Sequence, residues 1–200
     1  MTSPQDVLAF WIGEACQSPE RFKAQHKKWF NGGPALDAEL RSLFLPLLEQ
    51  LSTGPAASGW IATGKRGRLA AIIVLDQFSR NIFRKTPRAF AQDALALSLC
   101  KDGLARGEDT GLLEAERIFL YLPLEHSEDI TDQDCCVEML TKLHAEARPG
   151  FETFTKSFLD YAREHRDAIR QFGRFPHRNA ILGRESTPDE LEWLAEGGGF

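Results

Sequence analysis

The chain has 200 residues, of which 42% are hydrophobic and 26% charged, and a formal net charge of −5 at pH 7. That much apolar chain can bury a sizeable core, which excludes a disordered or fibrous polypeptide. The mild acidity counts against a wholesale nucleic-acid binder, whose surface is normally basic, although it leaves room for a local basic site.

From the N-terminus onward, the predicted elements are helices. Met1-Thr2-Ser3-Pro4-Gln5-Asp6 lacks the basic-then-apolar pattern of a secretory signal. Ser3-Pro4, Ser18-Pro19, Thr86-Pro87 and Thr187-Pro188 repeat one start signal. The hydroxyl caps a free backbone N–H, and proline occupies the first turn, where its missing donor costs nothing. Val7, Phe10 and Trp11 mark a first helix; Phe22, His26, Trp29 and Phe30 mark a second. Leu36, Leu40, Leu43, Leu47 and Leu51 mark a third that Pro46 is placed to kink. Gly54 to Gly59 reads as a small-residue loop. Leu69 to Ile82 begins nearly apolar all round, as a central buried helix would. Its apolar run, Leu69 to Leu75, is far too short to span a bilayer. Helices are predicted over Phe90 to Leu104, Leu112 to Leu122 and Ile130 to Leu143. A long stripe then runs from Phe151 to Phe172, with Gly173 at the C-cap. His26 and His165 lie on apolar helix faces and read as hydrogen-bonded core or rim histidines.

About nine helices on short connections predict one all-α domain over residues 1–200, stacked as a tetratricopeptide-like right-handed superhelix. The cysteines Cys16, Cys100, Cys135 and Cys136 contain no Cys-x-x-Cys pair. Reduced thiols in a cytoplasmic protein, with no metal site and no cofactor, are the expectation.

Three segments can carry chemistry. In the first, Gln77, Arg80, Asn81 and Arg84 fall on the helix face opposite Ala71, Leu75, Phe78 and Ile82, with Asp76 one turn before Arg80. Such a face either lines a cavity or is solvated, with an intrahelical ion pair of about 0.3 kcal/mol. In the second, Pro123 should end or bend its helix, leaving Glu125 and His126 in a corner and Ser127 free to cap the next helix. Glu beside His fits an acid–base pair or a metal corner, but no second histidine stands at ligand spacing, which favours a capping turn whose His packs on Tyr121. In the third, Gly173 to Thr187 reads as an irregular loop rich in donors: Arg174, His177, Arg178, Asn179 and Arg184. These either bind an anion or clamp carboxylates and helix ends.

These three segments, from Leu75 to Arg84, Tyr121 to Asp129 and Phe172 to Arg184, resemble the uncharacterised bacterial family designated domain of unknown function 924. The likeness extends to Val7–Trp11 and Trp29-Phe30 and weakens after Trp193. It implies an all-α, tetratricopeptide-like fold and no reaction. It also implies that the three segments meet in space.

The functional expectation is binding of a small phosphate- or carboxylate-bearing ligand in a concave site, with catalysis left open. Its residues would be Asp76, Gln77, Arg80, Asn81, Arg84, Glu125, His126, Arg174, His177, Arg178, Asn179 and Arg184. Glu125 would orient a histidine. The alternative is a tetratricopeptide-like scaffold that binds a peptide or partner protein. RNA contact through the stretch from Arg163 to Arg184 is a third reading, against which the acidity counts. No membrane association is expected, and the sequence does not fix the oligomeric state.

Overall fold

The computed structural model describes residues 2–200, and all their regular structure is helical. The α-helices in chain order are α1 (Pro4–Trp11), α2 (Pro19–Asn31), α3 (Gly33–Leu51), α4 (Pro55–Ile61), α5 (Lys65–Ile72) and α6 (Ser79–Ile82). They continue as α7 (Asp93–Ala105), α8 (Glu114–Glu125), α9 (Ile130–Ala145), α10 (Glu152–Phe172), α11 (Asn179–Leu182) and α12 (Pro188–Ala195). None is long and apolar enough to cross a membrane.

The hydroxyl–proline starts hold at α1, α2 and α12, where Ser3, Ser18 and Thr187 accept backbone N–H bonds. Thr86 differs: its hydroxyl donates back to the Phe83 carbonyl, and a short 3-10 turn follows. Gly54 to Gly59 is not a loop, because Pro55 starts α4 and only Gly54 takes a positive φ. The apolar segment from Leu69 to Leu75 is wholly buried and packs on α1, α7 and α8. The long α10 packs mainly on α9 and α8 rather than on this central helix. Consecutive helices α7, α8, α9 and α10 each pack on the next. Phenylalanine and tryptophan fill the interface, as in the edge-on pairs Trp11–Phe78 and Trp29–Phe119 at 5.2 and 4.7 Å. Such rings fill helix–helix gaps without adding a hydroxyl that needs a partner.

Between α5 and α6 the helix widens into a π-turn, Ile73–Phe78. A π-turn inserts one residue and rotates all that follows. The buried Asp76 lies inside it. Pro123 does not end α8; it sits in the last turn, and the helix runs on to Glu125. Asp129, not Ser127, caps α9, accepting from the Thr131 N–H at 2.7 Å, while Ser127 donates to Asp132. The segment after Gly173 is more regular than expected, containing a 3-10 turn (Pro176–Arg178) and α11.

Candidate functional site

Where the π-turn, the end of α8 and the turn before α11 meet, charged groups leave the surface. Asp76 is 1% exposed. Its Oδ1 accepts from Arg80 Nη1 at 2.9 Å and from His126 Nδ1 at 2.8 Å, and its Oδ2 accepts from Gln77 at 2.6 Å. Burial pushes the Asp76 carboxyl up, but the Arg80 guanidinium beside it wins and holds it well below the usual range. A carboxylate only accepts, so His126 Nδ1 carries the proton and its Nε2 keeps a lone pair. Burial and Arg80 lower the His126 pKa, which keeps the ring neutral at neutral pH.

Arg80 is fully compensated. Beyond Asp76 it makes a two-pronged pair with Asp93 at 2.9 and 3.0 Å. Arg178 is only partly compensated. It is 6% exposed, donates to the His126 carbonyl at 3.0 Å, and lies 3.7 Å from the nearest Asp93 oxygen. Its Nε has no hydrogen-bond partner. Phe175 and Phe90 flank the guanidinium, with centroids 4.4 and 5.0 Å away. Burial, then repulsion from Arg80, brings its pKa down to about 10.

Glu125, buried on the same helix end, has an unpartnered Oε2. Burial and the nearby Asp76 charge push its pKa up to about 8, so it holds its proton at neutral pH. His165 approaches it at 3.9 Å and bonds the Tyr161 carbonyl through Nδ1 at 2.8 Å. Burial lowers His165 to about 3 and, with help from Arg178, His177 to about 4; both rings are neutral. The rim reaches solvent: Arg80, His126 and Asp93 keep 19%, 14% and 24% of their side chains exposed.

The family model for "Bacterial protein of unknown function (DUF924)" matches residues 7–198. The chain belongs to DUF924. A solved structure titled "Structure of Protein of Unknown Function ATU0120 from Agrobacterium tumefaciens" is similar to it, with 34% identity, 97% of both chains covered and a TM-score of 0.80. No curated protein matches it.

In this DUF924 chain the three segments do meet, yet the expected residues divide. Asp76, Gln77, Arg80, Glu125, His126 and Arg178 form the cluster above, with His177 beside Arg178. Asn81 and Arg84 turn away from the cluster to Asp37 of α3, at 2.8 Å from Asn81 and 2.6 Å from Arg84. Arg174 and Asn179 are held by the buried Glu190 at 2.6 and 3.2 Å. Arg184 is paired to Glu128 at 2.7 Å. His126 is oriented by Asp76 rather than by Glu125, whose neutral carboxyl faces His165. Sequence reasoning missed Asp93, a first-turn acid like many others, and Phe90, which read as the start of a helix; Phe175 entered only as a stacking platform in the RNA reading. His165 is buried as expected of a rim histidine, but its approach to Glu125 had no sequence signal.

Proposed function

We propose that this chain binds a small anion, phosphate- or carboxylate-bearing, at Arg178, with His126 and His177 beside it. The observation that carries the reading is an incomplete counter-charge: the carboxylate nearest Arg178, Asp93 at 3.7 Å, takes both its hydrogen bonds from Arg80. A buried guanidinium is costly unless a carboxylate and hydrogen bonds compensate it. Arg80, Arg84, Arg174 and Arg184 all have such a carboxylate within 3.0 Å. Arg178 has a carbonyl, two rings, an unpartnered Nε and only the distant Asp93 at 3.7 Å. An arriving anion supplies the charge and takes the free N–H in a two-pronged bond. His126, held by Asp76, keeps a basic nitrogen, the arrangement that general-base chemistry uses. Binding is the function proposed, and proton transfer its natural extension. We place this activity in the cytoplasm. The alternative of a tetratricopeptide-like peptide scaffold rests only on the successive packing of α7 to α10.

Calorimetric titration with inorganic phosphate and with acetate tests the proposal. Arg178→Ala should lose binding more than tenfold, while Arg84→Ala, already paired with Asp37, should bind like the parent. Equal affinity in the parent and Arg178→Ala, or no heat with either probe at millimolar concentration, overturns it.

A further inference from the structure

Behind Arg178 lies a slot walled by aromatic rings and filled by Phe200. The Phe200 ring lies parallel to the His165 imidazole, centroids 3.6 Å apart and planes 18° apart. Phe175 and His177 meet it edge-on, at 6.0 Å and 85° and at 5.7 Å and 84°. Trp193 closes a further side at 6.3 Å. Parallel stacking on one ring with edges on the others is the environment a planar aromatic ligand selects.

Glycine shapes the segment that delivers Phe200. Gly197 and Gly199 adopt φ of 91° and 128°, which side chains disfavour. Gly198 lies so close to the Trp193 indole that a Cβ would sit 2.2 Å from it. Phe200 stays 45% exposed although the His165 beneath it is 6% exposed. A cleft of about 320 Å³ separates the segment from Glu164, Asp167 and Gln171 of α10. The walls fall within the residues matched by the family model, 7–198, and Phe200 falls outside them.

Phe175 ties the slot to the anion site. One ring contacts both Phe200 and the Arg178 guanidinium. His165 donates its Nδ1–H to a carbonyl, and burial keeps the ring neutral, which leaves the Nε2 lone pair toward Glu125. A neutral ring stacks on an uncharged aromatic without bringing a charge that must be solvated.

From this geometry we infer that the slot is a ring-binding subsite and Phe200 its resident occupant. The ligand is a planar aromatic anion, an aryl carboxylate or aryl phosphate, that displaces Phe200, stacks on His165 and delivers its charge to Arg178. The inference rests on Arg178 being the anion receptor.

Three probes separate the two ideas: inorganic phosphate, phenyl phosphate and phenol, titrated by calorimetry and by NMR of the His165 ring. Phe200→Ala should bind phenyl phosphate at least tenfold more tightly than the parent while its phosphate affinity stays unchanged. Phenol alone should shift the His165 resonances in Phe200→Ala. Adding His165→Ala should erase the preference for the ring and leave phosphate binding intact. In the unaltered chain, saturating phenyl phosphate should abolish the cross-relaxation between Phe200 and His165. Equal affinities for phenyl phosphate and phosphate in Phe200→Ala, with no His165 shift from phenol, overturn the slot and leave the Arg178 reading standing. A phenol response without binding of either anion overturns the Arg178 reading and the aryl-anion ligand with it.

Discussion

Arg80, half-buried, and Arg178, buried, are neighbouring guanidinium groups, and they are treated in opposite ways. Arg80 is surrounded by Asp76 and Asp93 at hydrogen-bond distance. Arg178 is set between aromatic rings with only a carbonyl in direct bond. The difference separates a staple from a receptor. A staple satisfies its own charge and loses stability when cut; a receptor leaves charge unsatisfied for something that arrives later.

The largest expected effect comes from cutting the staple. Arg80→Met leaves the buried Asp76 without its cation, and loss of one partner from a buried pair costs about 3–5 kcal/mol. Urea unfolding measures this; a loss below about 1 kcal/mol would mean that Arg80 is no staple.

Next is pH. Glu125 has its pKa raised from 4.5 to about 8 in the folded chain, so between these values the native state binds the extra proton. The contribution of Glu125 to stability is therefore complete below pH 4.5 and declines as pH rises toward about 8. Glu125→Gln mimics the neutral acid and removes the decline. Its advantage over the parent should be absent near about pH 5 and clear near about pH 8, and comparing the two proteins at each pH cancels the opposite slopes of His165 and His177. A constant difference across that range would place an ionised Glu125 in the fold.

Arg178→Met should cost less than cutting Arg80, about 1–2 kcal/mol for one hydrogen bond and the ring contacts. It orphans no carboxylate, because Asp93 keeps both bonds from Arg80. A loss as large as that of Arg80→Met would make Arg178 a second staple. The smallest effect belongs to a pure cap. Thr187→Ala removes the hydroxyl that accepts the Glu190 N–H, worth about 1 kcal/mol in thermal unfolding, and leaves anion binding untouched.

The helices were legible because their signals are local. Ser3, Ser18 and Thr187 before proline mark real starts, and Gly173 takes the left-handed φ of 69° expected of a C-cap. The all-apolar run from Leu69 marks the central helix for the same reason: burial on every side leaves no polar face. The site was legible only as a set of segments. Gln77, Arg80, Asn81 and Arg84 were placed on one face by a 3.6-residue period, but Gln77 lies inside the π-turn at Ile73–Phe78 and the helix ends at Ile82, before Arg84, so the period does not hold across the four. Likewise, nothing in the order of residues tells Arg174, which finds Glu190 at hydrogen-bond distance, from Arg178, whose nearest carboxylate, Asp93, stands 3.7 Å away and is bonded to Arg80; that depends on which acids the folded chain brings near. The Gly197 to Phe200 segment carried no expectation, since its meaning lies in the rings it covers.

The unpartnered Nε–H of Arg178 is the most direct probe of the central claim. Its ¹⁵N resonance can be followed by NMR while inorganic phosphate is added, with Arg178→Lys providing the assignment. The account predicts a saturable shift of this resonance that precedes any change at Arg84, Arg174 or Arg184, whose guanidinium groups already hold carboxylates. An Arg178 signal that stays fixed while those arginines move would contradict it.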